Sequence, residues 1–289
     1  MTVLILTRER DAIADMLARM LGDKVACLDL GDLPAQIKLT ATWHGGTITG
    51  AITSGARRVR LQEVKSVWMR KPSILEFPAG AREDWITRES VHAFIGALRA
   101  LPGVRWMSHP DAQEKARYKL HQLAVAHEAG LASPSTLVTT DSDGALAYLD
   151  GTHAMACKTL SGHHSDFPAS GIISAPTTGM GGPQKFSTCF QRAVERATAV
   201  RLVAVGGQIF CARSIDRSWR QARVPTGTAT KIMKVMKSFG LSYAAFDFAE
   251  DVGGRWWFQG IDPSGSFSAL EREAGLPISQ AIAEWLLDK

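Results

Sequence analysis

The sequence predicts an α/β (α+β) fold in which a parallel sheet opens the chain and antiparallel hairpins close it. At the start, an apolar strand over residues 2–6 precedes helical spacing over residues 11–21 and a second strand at Val25–Leu28. This β-α-β order is typical of a parallel sheet. Near the end, two apolar runs flank residues 251–254 (Asp-Val-Gly-Gly), which is the chemistry of a hairpin turn.

The rest of the chain continues this mixed pattern, and its 289 residues suggest about two domains. Further strands are predicted over residues 37–52 (around a turn at 44–46), 64–70, 137–140, 155–158, 186–194, 201–208 and 209–215, with Gly206-Gly207 turning the last pair. Helices are predicted over residues 83–101, 111–129, 143–149, 228–239 and 280–287.

Composition excludes several classes of protein. The apolar fraction of 45% and the charged fraction of 21% are typical of a globular chain. There is no apolar run of about 18 residues, so no transmembrane helix is predicted. The apolar start is too short for a signal peptide and lacks a basic beginning. We therefore expect a cytoplasmic protein without a membrane partner.

Charge and cysteine content restrict the partners further. The net charge of +5 and the pI of about 9.1 favour an anionic partner. No block of Lys and Arg is dense enough to indicate duplex DNA, so no nucleic acid is expected. The four cysteines lack metal-ligand spacing, and each lies in an apolar run, which favours buried free thiols.

The predicted C-terminal hairpin carries one acid on each strand. Asp247 lies on the first strand and Asp262 lies near the end of the second. Paired across a hairpin, the two carboxylates could hold Mg²⁺, which favours one or two carboxylates together with phosphate oxygens. The alternative is that residues 262–265 (Asp-Pro-Ser-Gly) form an ordinary turn capped by the aspartate.

Basic residues suited to phosphate precede this hairpin. Lys158 ends a predicted strand, and residues 161–183 after it are rich in Gly, Ser and Pro, which suggests a lysine that reaches nucleotide phosphates beneath a lid. Lys119 could be a second phosphate ligand. Either lysine could instead be a solvated surface residue. Arg201 and Arg220 either form structural ion pairs or clamp phosphate and carboxylate groups.

Two lysines, a Gly-rich segment, arginines and two acids, in this order, resemble the ATP-grasp superfamily. More narrowly, the chain resembles the ATP-grasp ribosomal peptide maturases, the graspetide or microviridin-type macrocyclases. The matching segments are residues 4–9 (Leu-Ile-Leu-Thr-Arg-Glu), 66–73 (Ser-Val-Trp-Met-Arg-Lys-Pro-Ser), 101–110, 157–160 (Cys-Lys-Thr-Leu), 200–210, 240–248 and 257–263. The resemblance covers nearly the whole chain.

The resemblance implies an ATP-grasp architecture in which two α+β subdomains clasp a nucleotide. An N-terminal pre-ATP-grasp domain with a parallel sheet would occupy residues 1–110. The central subdomain, residues 111–188, would carry the Gly-rich lid, and the C-terminal subdomain, residues 189–289, would carry the metal-site hairpin.

The resemblance also implies a role for each candidate residue. Lys119 and Lys158 would bind ATP phosphates, and residues 191–194, including Gln191 and Val194, would form the hinge that receives adenine. Arg201 and Arg220 would stabilise the phosphates or an acyl-phosphate, Asp247 and Asp262 would hold Mg²⁺, and Arg70 and Lys71 would steer peptide carboxylates.

The activity implied is an ATP-dependent ligase and macrocyclase. It would activate Asp or Glu side chains of an acidic precursor peptide with a leader, for attack by a Ser or Thr hydroxyl or a Lys amine. A homodimer would fit the family. The family's usual motif is Glu-x-Asn-Pro-Asn-Gly, whereas this chain has Gly260 in place of the Glu and Asp262 in place of the Asn. A degenerate paralogue that binds peptide without turnover and a small-molecule carboxylate–amine ligase are the alternatives.

Overall fold

A computed structural model of the chain describes residues 2–72, 82–141, 155–160, 170–173 and 188–288. The strands are β1 (Thr2–Thr7), β2 (Val25–Leu28), β3 (Ile37–His44), β4 (Thr47–Ser54), β5 (Arg57–Arg60), β6 (Val64–Lys71), β7 (Arg105–Met107), β8 (Thr136–Thr139), β9 (Met155–Lys158), β10 (Ser170–Ile173), β11 (Thr188–Arg192), β12 (Thr198–Val205), β13 (Gln208–Ile215), β14 (Ser218–Gln221), β15 (Tyr243–Glu250) and β16 (Trp256–Asp262). The α-helices are α1 (Ala12–Leu21), α2 (Arg82–Arg99), α3 (Pro110–Lys115), α4 (Lys119–Glu128), α5 (Thr228–Phe239), α6 (Ser268–Ala274) and α7 (Ile278–Leu287).

The N-terminal region is built on the parallel sheet that the sequence predicts. Its strand order is β2-β1-β6-β7, and every neighbouring pair is parallel. Helix α1 begins where the Asp11 carboxylate accepts hydrogen bonds from the amides of Ile13 and Ala14 at 3.0 and 3.4 Å, which is the role of an N-cap aspartate. A separate antiparallel sheet, β3-β4-β5, carries the predicted hairpin turn at Gly45-Gly46.

The central region holds an antiparallel sheet of order β10-β9-β11-β8. Strand β9 has the predicted bounds, Met155–Lys158. The Gly-, Ser- and Pro-rich composition after Lys158 suggests a loop, but Ser170–Ile173 forms a strand that pairs antiparallel with β9. The expected helix over residues 143–149 and most of the Gly-rich segment lie outside the described residues.

The C-terminal region is an antiparallel sheet of order β14-β13-β12-β15-β16. Its turns at Gly206-Gly207 and at residues 251–254 confirm the predicted hairpins. Helix α5 has the predicted bounds, Thr228–Phe239. The short edge strand β14 and the helix α6 were not predicted.

The single helix expected over residues 111–129 is wrong. The structure divides it into α3 and α4, with Tyr118 in an extended conformation as the residue before α4. The Ala116 carbonyl accepts a hydrogen bond of 2.6 Å from the Gln122 side chain. This carbonyl therefore has a hydrogen-bond partner although the helix is interrupted. After this break, α4 begins at Lys119.

One hydrophobic core spans the N-terminal and C-terminal sheets. Val3, Ile5 and Trp68 pack in the same cluster as Tyr243 and Phe267. The opposite face of the C-terminal sheet packs on α4 and α5 in a second cluster. Of the four free cysteines, Cys189 and Cys211 are buried as predicted, Cys157 is partly buried and Cys27 is exposed. No helix in the described ranges has the length and hydropathy of a membrane span.

Candidate active site

The hairpin of β15 and β16 contains a bulge at its middle. Asp247 lies opposite Gly260, whereas the next residue, Phe248, lies opposite Phe258. Gln259 is therefore the extra residue of β16. A bulge re-aims a side chain and is common beside active sites, and here it directs both the side chain and the carbonyl of Gln259 to new partners.

The two candidate metal ligands share one face of this hairpin. Asp262 lies opposite Ala245, two residues from the position opposite Asp247. Because side chains alternate along a strand, Asp247 and Asp262 point to the same side in diagonal positions. Diagonal neighbours have Cα atoms about 7–8 Å apart. The predicted hairpin is confirmed, but the aspartates are diagonal neighbours and not a directly opposed pair.

Each carboxylate is oriented through its Oδ1 atom. Asp247 Oδ1 accepts a hydrogen bond of 2.8 Å from Arg201 Nη1, and 46% of the Asp247 side chain is exposed. Asp262 Oδ1 accepts bonds from the amide and hydroxyl of Ser264 at 2.9 and 3.3 Å. Partial burial raises the pKa of Asp247, Arg201 opposes this rise and the negative charge of Asp262 adds to it. A cation between the carboxylates would relieve that repulsion.

The donor set suits Mg²⁺ bound together with phosphate. Within the described ranges, no cluster of three or more His, Cys, Asp and Glu residues forms a metal cage. Mg²⁺ does not need such a cage, since one or two carboxylates with phosphate oxygens and water complete its coordination. Asp247 and Asp262 could therefore hold the ion, and this role stays a prediction.

Both predicted phosphate lysines converge on Gln259. Lys119, the first residue of α4, donates a hydrogen bond to the Gln259 carbonyl. Lys158, at the end of β9, donates to Gln259 Oε1 at 3.1 Å and to Gln191 Oε1 at 2.7 Å. Gln191 is fully buried and donates to Thr136 Oγ1 at 3.1 Å. The structure thus brings together two lysines that are separated by 39 residues along the chain.

The two ammonium groups are held in a partly desolvated place. Burial, and then the positive charge of Lys158, lower the pKa of Lys119 to about 8. Burial also lowers the pKa of Lys158, against the attraction of Asp247. A desolvated cation has a strong interaction with an anion that enters the site. The pair is therefore suited to phosphate oxygens.

Gly260 provides the space that Lys119 occupies. A Cβ atom at position 260 would lie 2.6 Å from Lys119 Nζ and 3.3 Å from Gln122 Oε1. The Gln122 side chain also joins α4 to β16, because it donates to the Ile261 carbonyl at 2.9 Å and accepts from the Ile261 amide at 3.1 Å. The ammonium of Lys119 thus lies where a side chain at position 260 would begin.

Arg201 is in the site, whereas Arg220 is on another part of the sheet. Arg201 lies directly opposite Asp247. Arg220 lies on the edge strand β14 opposite Arg213, which itself lies opposite Val200. Alternation along the strands therefore places Arg220 on the face opposite to that of Arg201. The geometry supports Arg201 beside the carboxylates, and the role of Arg220 stays a prediction.

The two residues proposed for peptide carboxylates differ in accessibility. Only 3% of the Arg70 side chain is exposed, and its guanidinium forms an ion pair of 3.5 Å with Asp11 and donates to the carbonyls of Ser264 and Gly265. These partners give Arg70 a structural role, and its expected contact with a peptide carboxylate stays a prediction. Lys71 is half-buried at the end of β6 and stays a candidate.

The predicted adenine hinge includes Gln191 and Val194. Gln191 belongs to β11, and Val194 is half-buried in the connection from β11 to β12, between the central and C-terminal sheets. The Gln191 side chain holds Lys158 and Thr136. The place of this segment between two sheets agrees with a hinge, and its contact with adenine stays a prediction.

Sequence reasoning missed three residues that shape the site: Gln259, Gln122 and Gly265. Gln259 is a polar residue within an apolar run, a signal that could have drawn attention to it. A Cβ at Gly265 would lie 2.5 Å from Ala245 Cβ and 2.9 Å from Arg201 Nη2. The turn after Asp262 therefore packs directly on Arg201, and only glycine fits there.

Comparisons with known proteins agree with this geometry. The family model of the MvdD pre-ATP grasp domain matches residues 2–114. No curated protein matches the chain. The structure is similar to that of macrocyclase MdnB from Microcystis aeruginosa MRC, with a TM-score of 0.83, 28% identity, and 100% of this chain and 99% of that chain covered.

Two further solved structures have the same fold. Macrocyclase MdnC from Microcystis aeruginosa MRC, bound with precursor peptide MdnA, has a TM-score of 0.84 and 28% identity, and each chain is covered completely. A RiPP-associated ATP-grasp ligase from Chryseobacterium gregarium, in complex with ADP and a leader and core peptide, has a TM-score of 0.80 and 19% identity, with 100% of this chain and 97% of that chain covered. The chain therefore carries the MvdD pre-ATP grasp domain over residues 2–114, and over its whole length its structure is similar to those of the macrocyclases MdnB and MdnC.

Proposed function

We propose that this protein is an ATP-dependent ligase that joins side chains within a ribosomal precursor peptide. The observation that carries the proposal is the bulged hairpin of β15 and β16, which brings Lys119 and Lys158 to Gln259 close to Asp247 and Asp262. Two lysines suit the phosphates of a nucleotide, and two carboxylates suit a divalent cation. The structural relatives MdnB and MdnC are macrocyclases.

The basic residues of the site would bind phosphate groups, and its two carboxylates would bind the cation. Lys119 and Lys158 would leave Gln259 and Gln191 to bind phosphate oxygens of ATP, and Arg201 would stabilise the transferred phosphoryl group. Mg²⁺, when held by Asp247 and Asp262, would neutralise charge on the triphosphate. Placing fixed charges where negative charge develops is the main way in which such sites accelerate phosphoryl transfer.

The proposed ligation has two steps, activation of a carboxylate and formation of an ester or amide bond. A carboxylate oxygen of an Asp or Glu side chain attacks the γ-phosphorus of ATP, ADP leaves and an acyl-phosphate forms on the peptide. A Ser or Thr hydroxyl or a Lys amine of the same peptide then attacks the carbonyl carbon. Its proton is released to solvent or a base, and inorganic phosphate departs. Each ester or amide bond formed removes one water from the mass of the peptide.

The partner follows from the same chemistry. MdnC is solved with a precursor peptide, and the C. gregarium ligase with a leader and core peptide. The net charge of +5 on this chain favours an acidic peptide. We propose an acidic precursor with a leader as the substrate, and a homodimer stays a prediction.

The direct test combines purified protein, ATP, Mg²⁺ and the precursor peptide taken from a short acidic open reading frame beside the gene. We expect ADP release together with peptide products that have each lost one or more waters by mass spectrometry. Asp247→Asn should reduce turnover at least a hundredfold while peptide affinity measured by calorimetry stays within about twofold, because the carboxylate acts on the cation and not on the leader.

A matched control is Asp216→Asn, which removes an exposed acid from the turn between β13 and β14 of the same sheet. This variant should retain full turnover. Peptide binding without ADP release by the unmodified protein would support the non-catalytic paralogue. ADP release with free amino acids in place of the peptide would support the small-molecule ligase.

A further inference from the structure

A pocket lies where the N-terminal region meets the turn that follows Asp262. Its volume is about 310 Å³, which is within the range of sites that bind small ligands. It is lined by Met69, Arg70, Lys71, Pro72, Gln113, Arg117 and Ser264. These residues come from the end of β6, from α3, from the break after α3 and from the turn after β16.

The ionisable side chains that line the pocket are all positively charged. Among the residues that line the pocket, those with ionisable side chains are Arg70, Lys71 and Arg117, and all three are basic. Arg70 is already engaged by Asp11 and the turn carbonyls. Arg117 is about half exposed, and Glu114 lies 3.7 Å from its guanidinium. Lys71 and Arg117 are thus the two cations that can turn to a ligand.

Lys71 is in an electrostatically strained position. Burial lowers its pKa, the neighbouring Arg70 lowers it further, and Asp262 acts in the opposite direction. A bound anion would relieve the repulsion between these cations.

Ser264 connects the pocket to the active site. It lines the pocket, and its amide and hydroxyl hold Asp262 Oδ1 at 2.9 and 3.3 Å. Another lining residue, Gln113, is buried and donates a hydrogen bond of 2.7 Å to the Met69 carbonyl. A group bound in the pocket would therefore lie against a fixed wall and within one turn of a candidate metal ligand.

We propose that this pocket binds an Asp or Glu side chain of the peptide substrate, with its carboxylate between Lys71 and Arg117. The inference rests on the proposed function and adds Arg117 as a residue that determines specificity for an acidic substrate. The side chains of Met69 and Pro72 supply apolar surface for the methylene groups of such a residue. Free phosphate has no such groups, so the lining favours a carboxylic acid.

The kinetic test uses Arg117→Gln, Lys71→Gln and the double variant with ATP, Mg²⁺ and the precursor peptide. A charge-assisted hydrogen bond contributes more than the 1.4 kcal/mol that corresponds to a tenfold change. We expect the KM for peptide to rise about tenfold in each single variant and further in the double variant, while the KM for ATP stays within about twofold. Lys237→Gln, an exposed lysine of α5, removes the same charge as a control.

A second measurement does not depend on turnover. The rate of Lys71 acetylation, followed by mass spectrometry, should fall at least threefold when N-acetylglutamate methylamide is added, but not with N-acetylglutamine methylamide. Equal protection by inorganic phosphate would show that the pocket binds phosphate and not a carboxylate. If none of the three compounds protects Lys71, the proposed site is wrong.

The two proposals fail in different ways. If the unmodified protein forms cross-links but the peptide KM is unchanged in the double variant, the pocket assignment is wrong and the ligase stands. If the unmodified protein releases no ADP with the peptide, the ligase is wrong. Protection of Lys71 then still decides whether the pocket takes a carboxylate.

Discussion

Gln259 organises the cationic half of the site. Its side chain receives Lys158 and its carbonyl receives Lys119, across 101 and 140 residues of sequence. The bulge makes this possible, because it removes Gln259 from the regular pairing of β15 and β16. Before nucleotide binds, both ammonium groups are thus held in place by a neutral amide and do not depend on an acid for their position.

Gly260→Ala tests whether the Lys119 ammonium lies against Gly260. The added methyl carbon would lie 2.6 Å from Nζ, so the ammonium must move away from the place where burial lowers its pKa to about 8. We expect the pKa of Lys119 to rise toward its ordinary value of 10.5, measured as the midpoint of the pH dependence of its acetylation rate.

The control for this variant is Gly207→Ala, since a Cβ at Gly207 meets no atom within 4 Å. Its Lys119 midpoint should equal that of the unmodified protein. An unchanged midpoint in Gly260→Ala would show that Lys119 does not occupy the space above Gly260.

Among single residues, the sequence allowed the charged members of the site to be predicted, but not Gln122 or Gln259. Asp262 and Lys158 could be identified because they lie at strand ends, where chemistry concentrates, and Asp247 because it is an acid within an apolar strand. Gln122 had no such signal and Gln259 only that of a polar residue in an apolar run, because their roles depend on contacts between α4 and β16 that local patterns do not contain. The bulge itself has no sequence signature here beyond one polar residue in an apolar run.

At the scale of elements, β6 is tied to the turn after β16 by a buried arginine. Arg70 contacts Asp11, which caps α1, and the carbonyls of Ser264 and Gly265. Tyr243 also donates to the Gly265 carbonyl, at 2.5 Å. The turn that positions Asp262 is therefore held from both sheets. The sequence suggested a substrate role for Arg70, since an exposed and a buried arginine look alike at a strand end.

Arg70→Ala should destabilise the protein strongly. Removing one partner of a buried ion pair leaves the other charge unpaired and costs about 3–5 kcal/mol. Arg99→Ala, which breaks an ion pair with Asp111 whose arginine is 41% exposed, should cost about 1 kcal/mol or less. Urea unfolding curves give both free energies of unfolding. A cost for Arg70→Ala as small as that for Arg99→Ala would show that Arg70 is not a structural tie.

The element boundaries were predicted best where one period dominates. Helix α5 and strand β9 have their predicted bounds, whereas the helix expected over residues 111–129 is broken at Tyr118. The sequence there has no glycine or proline to mark the break. Its cause is tertiary, because the Gln122 side chain binds the Ala116 carbonyl and the backbone of β16 at once.

At the scale of the whole molecule, the first and last parts of the chain form one core. Helix α7 packs on α1, and the Ser66 hydroxyl donates to the Leu286 carbonyl at 2.7 Å. The sequence suggested a boundary near Pro110, and this division stays a prediction, but the hydrophobic cluster crosses it. Contacts between segments about 200 residues apart cannot be read from local periodicity, so the shared core is a finding of the structure.

The shared core predicts which parts of the molecule unfold together. Strands β1 and β15 belong to the same large cluster, whereas the cluster of the central sheet contains Met155 and Phe190 as its buried members within the described part of the chain. Local stability follows the number of buried apolar contacts.

In hydrogen exchange at increasing urea, amides of β1 and β15 should lose protection at one common concentration, and amides of β9 and β11 at a lower one. ATP with Mg²⁺ should raise the lower midpoint selectively, because Lys158 of β9 would then be held by phosphate. Loss of protection in β1 well before β15 would mean that the N-terminal sheet is an independent unit.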